Sequence, residues 1–163
     1  MKAVVVVASN RAAAGIYEDT SGPLLVEGLR ALEFEVGPPV VVPDGPPVEA
    51  ALREAVAGGA DVVLTSGGTG VTLTDATPEM TRRVLDYEVP GIAEAIRAAG
   101  AAKVPTAILS RGLAGVAGRT LVVNLPGSRG GAKDGLHVLG PVLRHAVDQL
   151  RGGDHPQPTT LPA

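Results

Sequence analysis

The feature that most limits the fold is a set of short runs that are apolar at every position. Val4-Val5-Val6-Val7-Ala8 is the clearest. Successive side chains of a strand point to opposite faces, so a strand with one wet face alternates apolar and polar residues. A run without alternation needs cover on both faces. Similar runs follow. Val40–Val42 ends a second strand that Phe34 and Val36 begin, Asp61–Thr65 is a third, Thr106–Leu109 a fourth and Thr120–Val123 a fifth. Helical patterns lie between them: Ser21–Leu32, Pro46–Ala57, Thr77–Tyr87, Gly91–Ala99 and Leu136–Leu150. Ser21-Gly22-Pro23 and Thr77-Pro78-Glu79 read as cap followed by early proline, and Gly58-Gly59 as a stop. Pro141 falls inside the last helix and should kink it or delay its start.

Strands alternating with helices predict βαβ crossovers. The expected fold is α/β, three-layered, with a mainly parallel sheet and helices on both faces. Gly112–Arg119 is too short for a crossover helix. It reads as a turn or short strand, which makes room for one antiparallel pairing. The length of 163 residues suits one domain, expected over residues 1–152, with a proline-rich mobile tail over 153–163.

Charge excludes several partners. The net charge is −3 and no basic cluster exceeds Arg82-Arg83, so nothing serves to neutralise a nucleic-acid backbone. Phe34, Tyr17 and Tyr87 are the only aromatics, too few for a base-stacking platform. There is no cysteine, hence no disulfide, thiolate metal site or cysteine nucleophile. The opening apolar run is too short for a signal or a membrane span, so a cytoplasmic location is expected.

In open α/β sheets, ligands bind beyond the carboxyl ends of the strands. Each expected strand ends in a polar or glycine-rich segment: Ser9-Asn10-Arg11, Pro43-Asp44-Gly45, Thr65-Ser66-Gly67-Gly68-Thr69-Gly70, Ser110-Arg111 and Asn124-Leu125-Pro126-Gly127-Ser128. A parallel sheet would gather these five loops on one edge. Gly67, Gly68 and Gly70 would let backbone N–H groups close on phosphate oxygens. The spacing matches neither GxGxxG nor the P-loop. Two readings of Asp75 stay open: a cap or Asx-turn before the Thr77 helix, or a magnesium ligand between carboxylate and phosphates. Asp44 is likewise a helix cap, a catalytic carboxylate, or both. Arg111 is a phosphate clamp or a surface ion pair. Asn124 to Ser128, with Arg129 and Lys133, is an anion loop or an ordinary turn.

Taken together, the loops resemble a known family. Ser9 to Pro23 resembles the first signature of the MogA-type enzymes. Thr65 to Gly70, then Asp75-Ala76-Thr77-Pro78-Glu79, resembles their central signature. Leu109-Ser110-Arg111 and Asn124 to Ser128 resemble the last two. The same order and spacing occur in the G domains of gephyrin and of its plant counterpart, and the match runs from about residue 3 to 151.

The resemblance implies a three-layer α/β fold, usually a trimer. It implies magnesium-dependent transfer of AMP from ATP to molybdopterin, with release of pyrophosphate. A molybdate-insertion protein would follow as partner. Asp44 and Asp75 match the family's important aspartates, with Asp75 towards the metal. Gly67, Gly68, Thr69 and Gly70 would hold nucleotide phosphates. Ser9, Ser110, Arg111, Asn124, Pro126, Gly127 and Ser128 would form the pterin and phosphate surface. Thr74 departs from the pattern, because the family commonly has Arg there. A positive charge next to the phosphates is then either missing or replaced by Arg111 or Lys133. The alternative is a catalytically silent, MoaB-like molybdopterin-binding or scaffold protein.

Overall fold

The computed structural model describes residues 1–153. The expected mobile tail, beyond Gly153 itself, lies outside the described residues. In chain order the elements are β1 Lys2–Ala8, α1 Asn10–Ala13, α2 Ser21–Ala31, β2 Glu35–Val36, β3 Val40–Val42, α3 Pro46–Ala57, β4 Val62–Ser66, α4 Thr77–Arg82, β5 Tyr87–Glu88, α5 Pro90–Ala101, a 3-10 helix Pro105–Leu109, β6 Ala114–Ala117, β7 Thr120–Leu125 and α6 Arg129–Leu150.

The sheet has the order β2-β1-β4-β7-β6-β5, with β3 continuing beside β1 after β2. Pairings among β1, β2, β3, β4 and β7 are parallel, and β6 runs antiparallel to both β5 and β7. Strand parity explains the unbroken apolar runs. Val5, Val7, Leu64, Leu121 and Val123 pack with α2, α5 and α6 through Leu25, Leu29, Ile96, Leu139 and Leu143. Their neighbours Val6, Ala8, Val63 and Val122 pack on the other face with Val48 and Leu52 of α3 and Met80 of α4. Both faces of the central strands are therefore dry, as a covered parallel sheet requires.

Three expectations change. Thr106–Leu109 is not a strand but part of the 3-10 helix. Pro105 sets a helical φ at its first position, and Ile108 (66% exposed) and Leu109 (50% exposed) have no neighbouring layer to make a strand worth forming. The helix expected over Thr77–Tyr87 stops at Arg82, and Tyr87–Glu88 pairs with Val116 and Gly115 of β6. Third, α6 starts at Arg129, seven residues before the expected Leu136, and carries Pro141 without breaking. Its start is set by Ser128, whose side chain accepts from the Gly131 N–H at 3.1 Å, not by the apolar periodicity.

Candidate functional site

The carboxyl ends of β1, β3, β4 and β7 meet on one edge, joined there by the 3-10 segment instead of a fifth strand. The centre of this edge is the loop after β4. Gly67 and Gly68 both have positive φ, +98° and +63°. A Cβ at Gly67 would overlap the Ala8 carbonyl oxygen, and one at Gly68 would overlap the Asp44 carboxylate and Thr77 Oγ1. Glycine is needed twice here, once for β1 and once for the Asp44–Thr77 contact.

A cavity of about 660 Å³ opens beside this loop. One end is polar: Gly67, Gly68, Thr69, Gly70, Asp75, Ser110, Pro126, Gly127 and the α6 N-terminus from Ser128 to Gly131. The other end is walled by α5 and the 3-10 helix, through Ile96, Val104, Ala107 and Leu109, with Lys103 at the side. A smaller cleft of about 100 Å³, lined by Ser9, Tyr17, Asp19 and Ser21, shares Gly67 and Gly127 with it.

The expected site residues divide on this geometry. Nine of them line the large cavity: Gly67, Gly68, Thr69, Gly70, Asp75, Ser110, Pro126, Gly127 and Ser128. Ser9, Asp44, Arg111 and Asn124 do not. Ser9 caps α1, accepting from Ala12 N–H at 3.1 Å, and lines the small cleft. Asp44 sits behind Gly68. Its Oδ1 accepts from Gly45 N–H at 2.7 Å and from Thr77 Oγ1 at 3.2 Å, and its Oδ2 accepts from Ala76 N–H at 3.3 Å. The carboxylate therefore tethers the start of α4, and the acidic group favours the positive end of that helix. It holds the start of a helix, but a different one from the helix it precedes in sequence.

Asn124 lies within β7, one residue inside the strand's end, and is 3% exposed. Parity turns its side chain to the α4 face. Its Nδ2 donates to Thr65 Oγ1 at 3.0 Å and Thr81 Oγ1 at 2.9 Å, and its Oδ1 accepts from Leu113 N–H at 3.2 Å. The carboxamide is thus spent on joining β4, α4 and the lead into β6. Asn124→Leu keeps the bulk and removes the partners of three buried groups. Urea unfolding is expected to show a loss of about 2–4 kcal/mol, from orphaned polar groups costing about 1–3 kcal/mol each with partial relaxation. A change below about 0.5 kcal/mol would contradict the joint.

Asp75 is half-buried and lines the cavity. Oδ2 accepts from Thr72 N–H at 3.0 Å, and Asp75 N–H donates back to the Thr72 carbonyl at 3.1 Å. The Asx-turn reading is thereby realised, yet the cap of α4 is Ala76, so the turn leaves Asp75 on the cavity wall. Arg111 donates through Nε to the Gly70 carbonyl at 2.7 Å and through Nη2 to the Asp75 carbonyl at 2.8 Å. Its Nη1 pairs with Glu79. The hydrogen bond from Arg111 holds the Glu79 carboxyl below the usual carboxylate range against the opposing effect of desolvation. What this pair contributes is present above the ordinary Glu range and lost as pH falls through the lowered folded value.

A family model described as "Probable molybdopterin binding domain" matches residues 4–145. The chain belongs to the molybdopterin-binding family. A solved structure of MogA is similar to this chain at 56% identity, covering 92% of this chain and 99% of that one, with a TM-score of 0.91. A "Molybdopterin adenylyltransferase" of Helicobacter pylori (strain J99) is 37% identical over 154 residues, 91% of this chain and 86% of that protein. A "Molybdenum cofactor biosynthesis bifunctional protein" of Chlorobaculum tepidum is 41% identical over 160 residues. The chain spans about half the length of such bifunctional relatives. The expected MogA-type resemblance and the α/β fold are both borne out.

In this family member the part of the cavity that the sequence did not reveal is the α5 wall. Lys103 pairs with Asp134 across the cavity side, and Arg97 donates to the carbonyls of Gly112 at 2.8 Å and Ser110 at 3.4 Å. The signal in the sequence is Gly100-Ala101-Ala102-Lys103, a small-residue helix end followed by a cation, masked by the strand expected at Thr106. Among the described residues no cluster of three or more His, Cys, Asp or Glu side chains could hold a metal, and no helix is long and apolar enough to cross a membrane.

Proposed function

We propose that this chain is a molybdopterin adenylyltransferase acting in molybdenum cofactor biosynthesis, transferring AMP from ATP to molybdopterin with release of pyrophosphate. The observation that carries the reading is the placement of Gly67–Gly70, Asp75 and the α6 N-terminus around one cavity of about 660 Å³, in a chain of this family. That volume lies within the usual range of ligand pockets. The similar proteins named molybdopterin adenylyltransferase support the same conclusion.

In the proposed reaction, an oxygen of the pterin's terminal phosphate attacks the α-phosphorus of ATP. The bond from that phosphorus to the oxygen bridging the β-phosphate breaks, and pyrophosphate leaves. The nucleophile is already anionic, so the protein's task is alignment and charge compensation. Backbone N–H groups of Gly68–Gly70 cradle the nucleotide phosphates, the Gly67 N–H being donated to the Leu125 carbonyl at 3.1 Å. The 22-residue α6 directs its positive end at the same space, beside the pterin phosphate. The apolar α5 wall receives ring systems and excludes water.

Magnesium fits this donor set in a restricted sense. Asp75 is the one cavity-facing carboxylate near the glycine loop, and magnesium ordinarily takes one or two carboxylates with substrate phosphates. Asp44 does not line this cavity, so the fit rests on Asp75. When bound, the ion would neutralise charge developing between the phosphates.

Lys133 lines the cavity within the first turns of α6. Lys133→Ala is expected to raise KM for molybdopterin about tenfold with kcat within about twofold, the loss of one charge-assisted contact worth about 1.4 kcal/mol. Unchanged KM in steady-state kinetics would remove Lys133 from the site. The proposed assembly is a cytoplasmic homotrimer that hands its product to a molybdate-insertion protein. Exposed Val104 and Ile108 beside the cavity offer apolar surface for contacts between copies. A monomer mass by light scattering would contradict the trimer.

The reaction itself is tested by incubating the protein with molybdopterin and Mg-ATP labelled at the α-phosphate. Label is expected in a pterin product. Tight pterin binding with no labelled product would support instead a silent, MoaB-like carrier.

A further inference from the structure

We infer that Arg111 is a positioning residue: it straps the two ends of the Gly70–Asp75 loop together and so aims the Asp75 carboxylate, instead of gripping a substrate phosphate. The inference rests on the proposed role of Asp75. Three observations carry it. The guanidinium's three nitrogens are all engaged within the protein, by the Gly70 carbonyl, the Asp75 carbonyl and Glu79. Arg111 N–H also donates to the Thr69 carbonyl at 2.7 Å, so backbone and side chain hold the same loop. Arg111 is not among the residues lining the cavity.

The loop itself has little else to hold it. Val71, Thr72, Leu73 and Thr74 are all exposed, with Leu73 fully so. Its internal ties are those between Thr72 and Asp75 and a 3.3 Å hydroxyl contact between Thr72 and Thr74. Asp75 is its only charged residue. At its closed end, Gly70 lies so near that a Cβ there would stand 2.8 Å from Asp75 Oδ2. A small opening of the loop would therefore move that carboxylate. Arginine suits the task because its rigid fork reaches two carbonyls and a carboxylate at once, which a single ammonium cannot do.

The test compares Arg111→Lys, Asp75→Asn and their combination, by steady-state adenylylation and by thermolysin cleavage within residues 70–75. Arg111→Lys is expected to lower kcat about 10- to 100-fold while KM for ATP moves less than about threefold. The double variant should be no slower than Asp75→Asn alone, because Arg111 acts through Asp75. Thermolysin should cut the Arg111→Lys loop about tenfold faster than the wild-type loop, with circular dichroism unchanged. A raised KM with kcat retained would overturn the inference in favour of a direct phosphate grip. Additive losses in the double variant would overturn it too. If Asp75→Asn itself keeps the wild-type rate, the proposed role of Asp75 fails separately, and unchanged cleavage would still refute the strap.

Discussion

Gly68→Ala is expected to lower adenylylation by about 100-fold or more and to destabilise the fold by about 2–4 kcal/mol. Two effects combine. At φ +63° any L side chain costs roughly 1–2 kcal/mol. The added methyl would also occupy the space of the Asp44 carboxylate and Thr77 Oγ1. Asp44 would have to release Ala76 N–H and Thr77, which together set where α4 begins and, one residue earlier, where Asp75 sits. A displacement of about 1 Å near reacting groups can cost about 100-fold in rate. Gly118→Ala is the matched control. Its φ is +59°, but a Cβ there meets nothing within 4 Å. It should carry the strain alone, about 1 kcal/mol, and keep full activity. Urea unfolding and initial rates on both variants separate strain from collision. Wild-type activity in Gly68→Ala would show that the Asp44–Thr77 contact does not shape the site.

Asp75→Asn is expected to lower kcat by about 100- to 1,000-fold with stability within about 0.5 kcal/mol of wild type. The carboxamide oxygen can still accept from Thr72 N–H, so the turn survives. What disappears is the charge on the cavity wall, where it is proposed to face the phosphates through a magnesium ion. Melting curves and initial rates at saturating Mg-ATP make the comparison. A stable protein with wild-type kcat would leave Asp75 as a turn residue only.

Much of this architecture was legible because strand and helix carry different signals. Continuous apolar runs at Val4–Ala8 and Thr120–Val123 announced a sheet covered on both faces, and the parity of Val5 and Val7 against Val6 and Ala8 realises it. The gathering of polar strand ends on one edge was legible for the same reason. The errors fall where a short apolar run has no period long enough to decide its class. Thr106–Leu109 read as a strand, but Pro105 and the lack of a partner make it a 3-10 turn. Asn124 was read as part of a loop. Two further residues of β7 pull it into the sheet, and parity then directs its carboxamide inward to Thr65 and Thr81. Asp44 was foreseen as a cap, but its target, Ala76 and Thr77, is 32 and 33 residues away, beyond any local rule. Arg111 realises the ion-pair reading through Glu79, but its further bonds to Gly70 and Asp75 join it only in the folded chain, beyond any local rule.

The central claim is that the cavity between the Gly67–Gly70 loop and the α6 N-terminus transfers AMP to molybdopterin. It is tested most directly by measuring pyrophosphate release with Mg-ATP, with and without molybdopterin. One pyrophosphate is expected for each adenylylated pterin, and none when molybdopterin is omitted. Saturable molybdopterin binding without pyrophosphate, under conditions where ATP also binds, would contradict it.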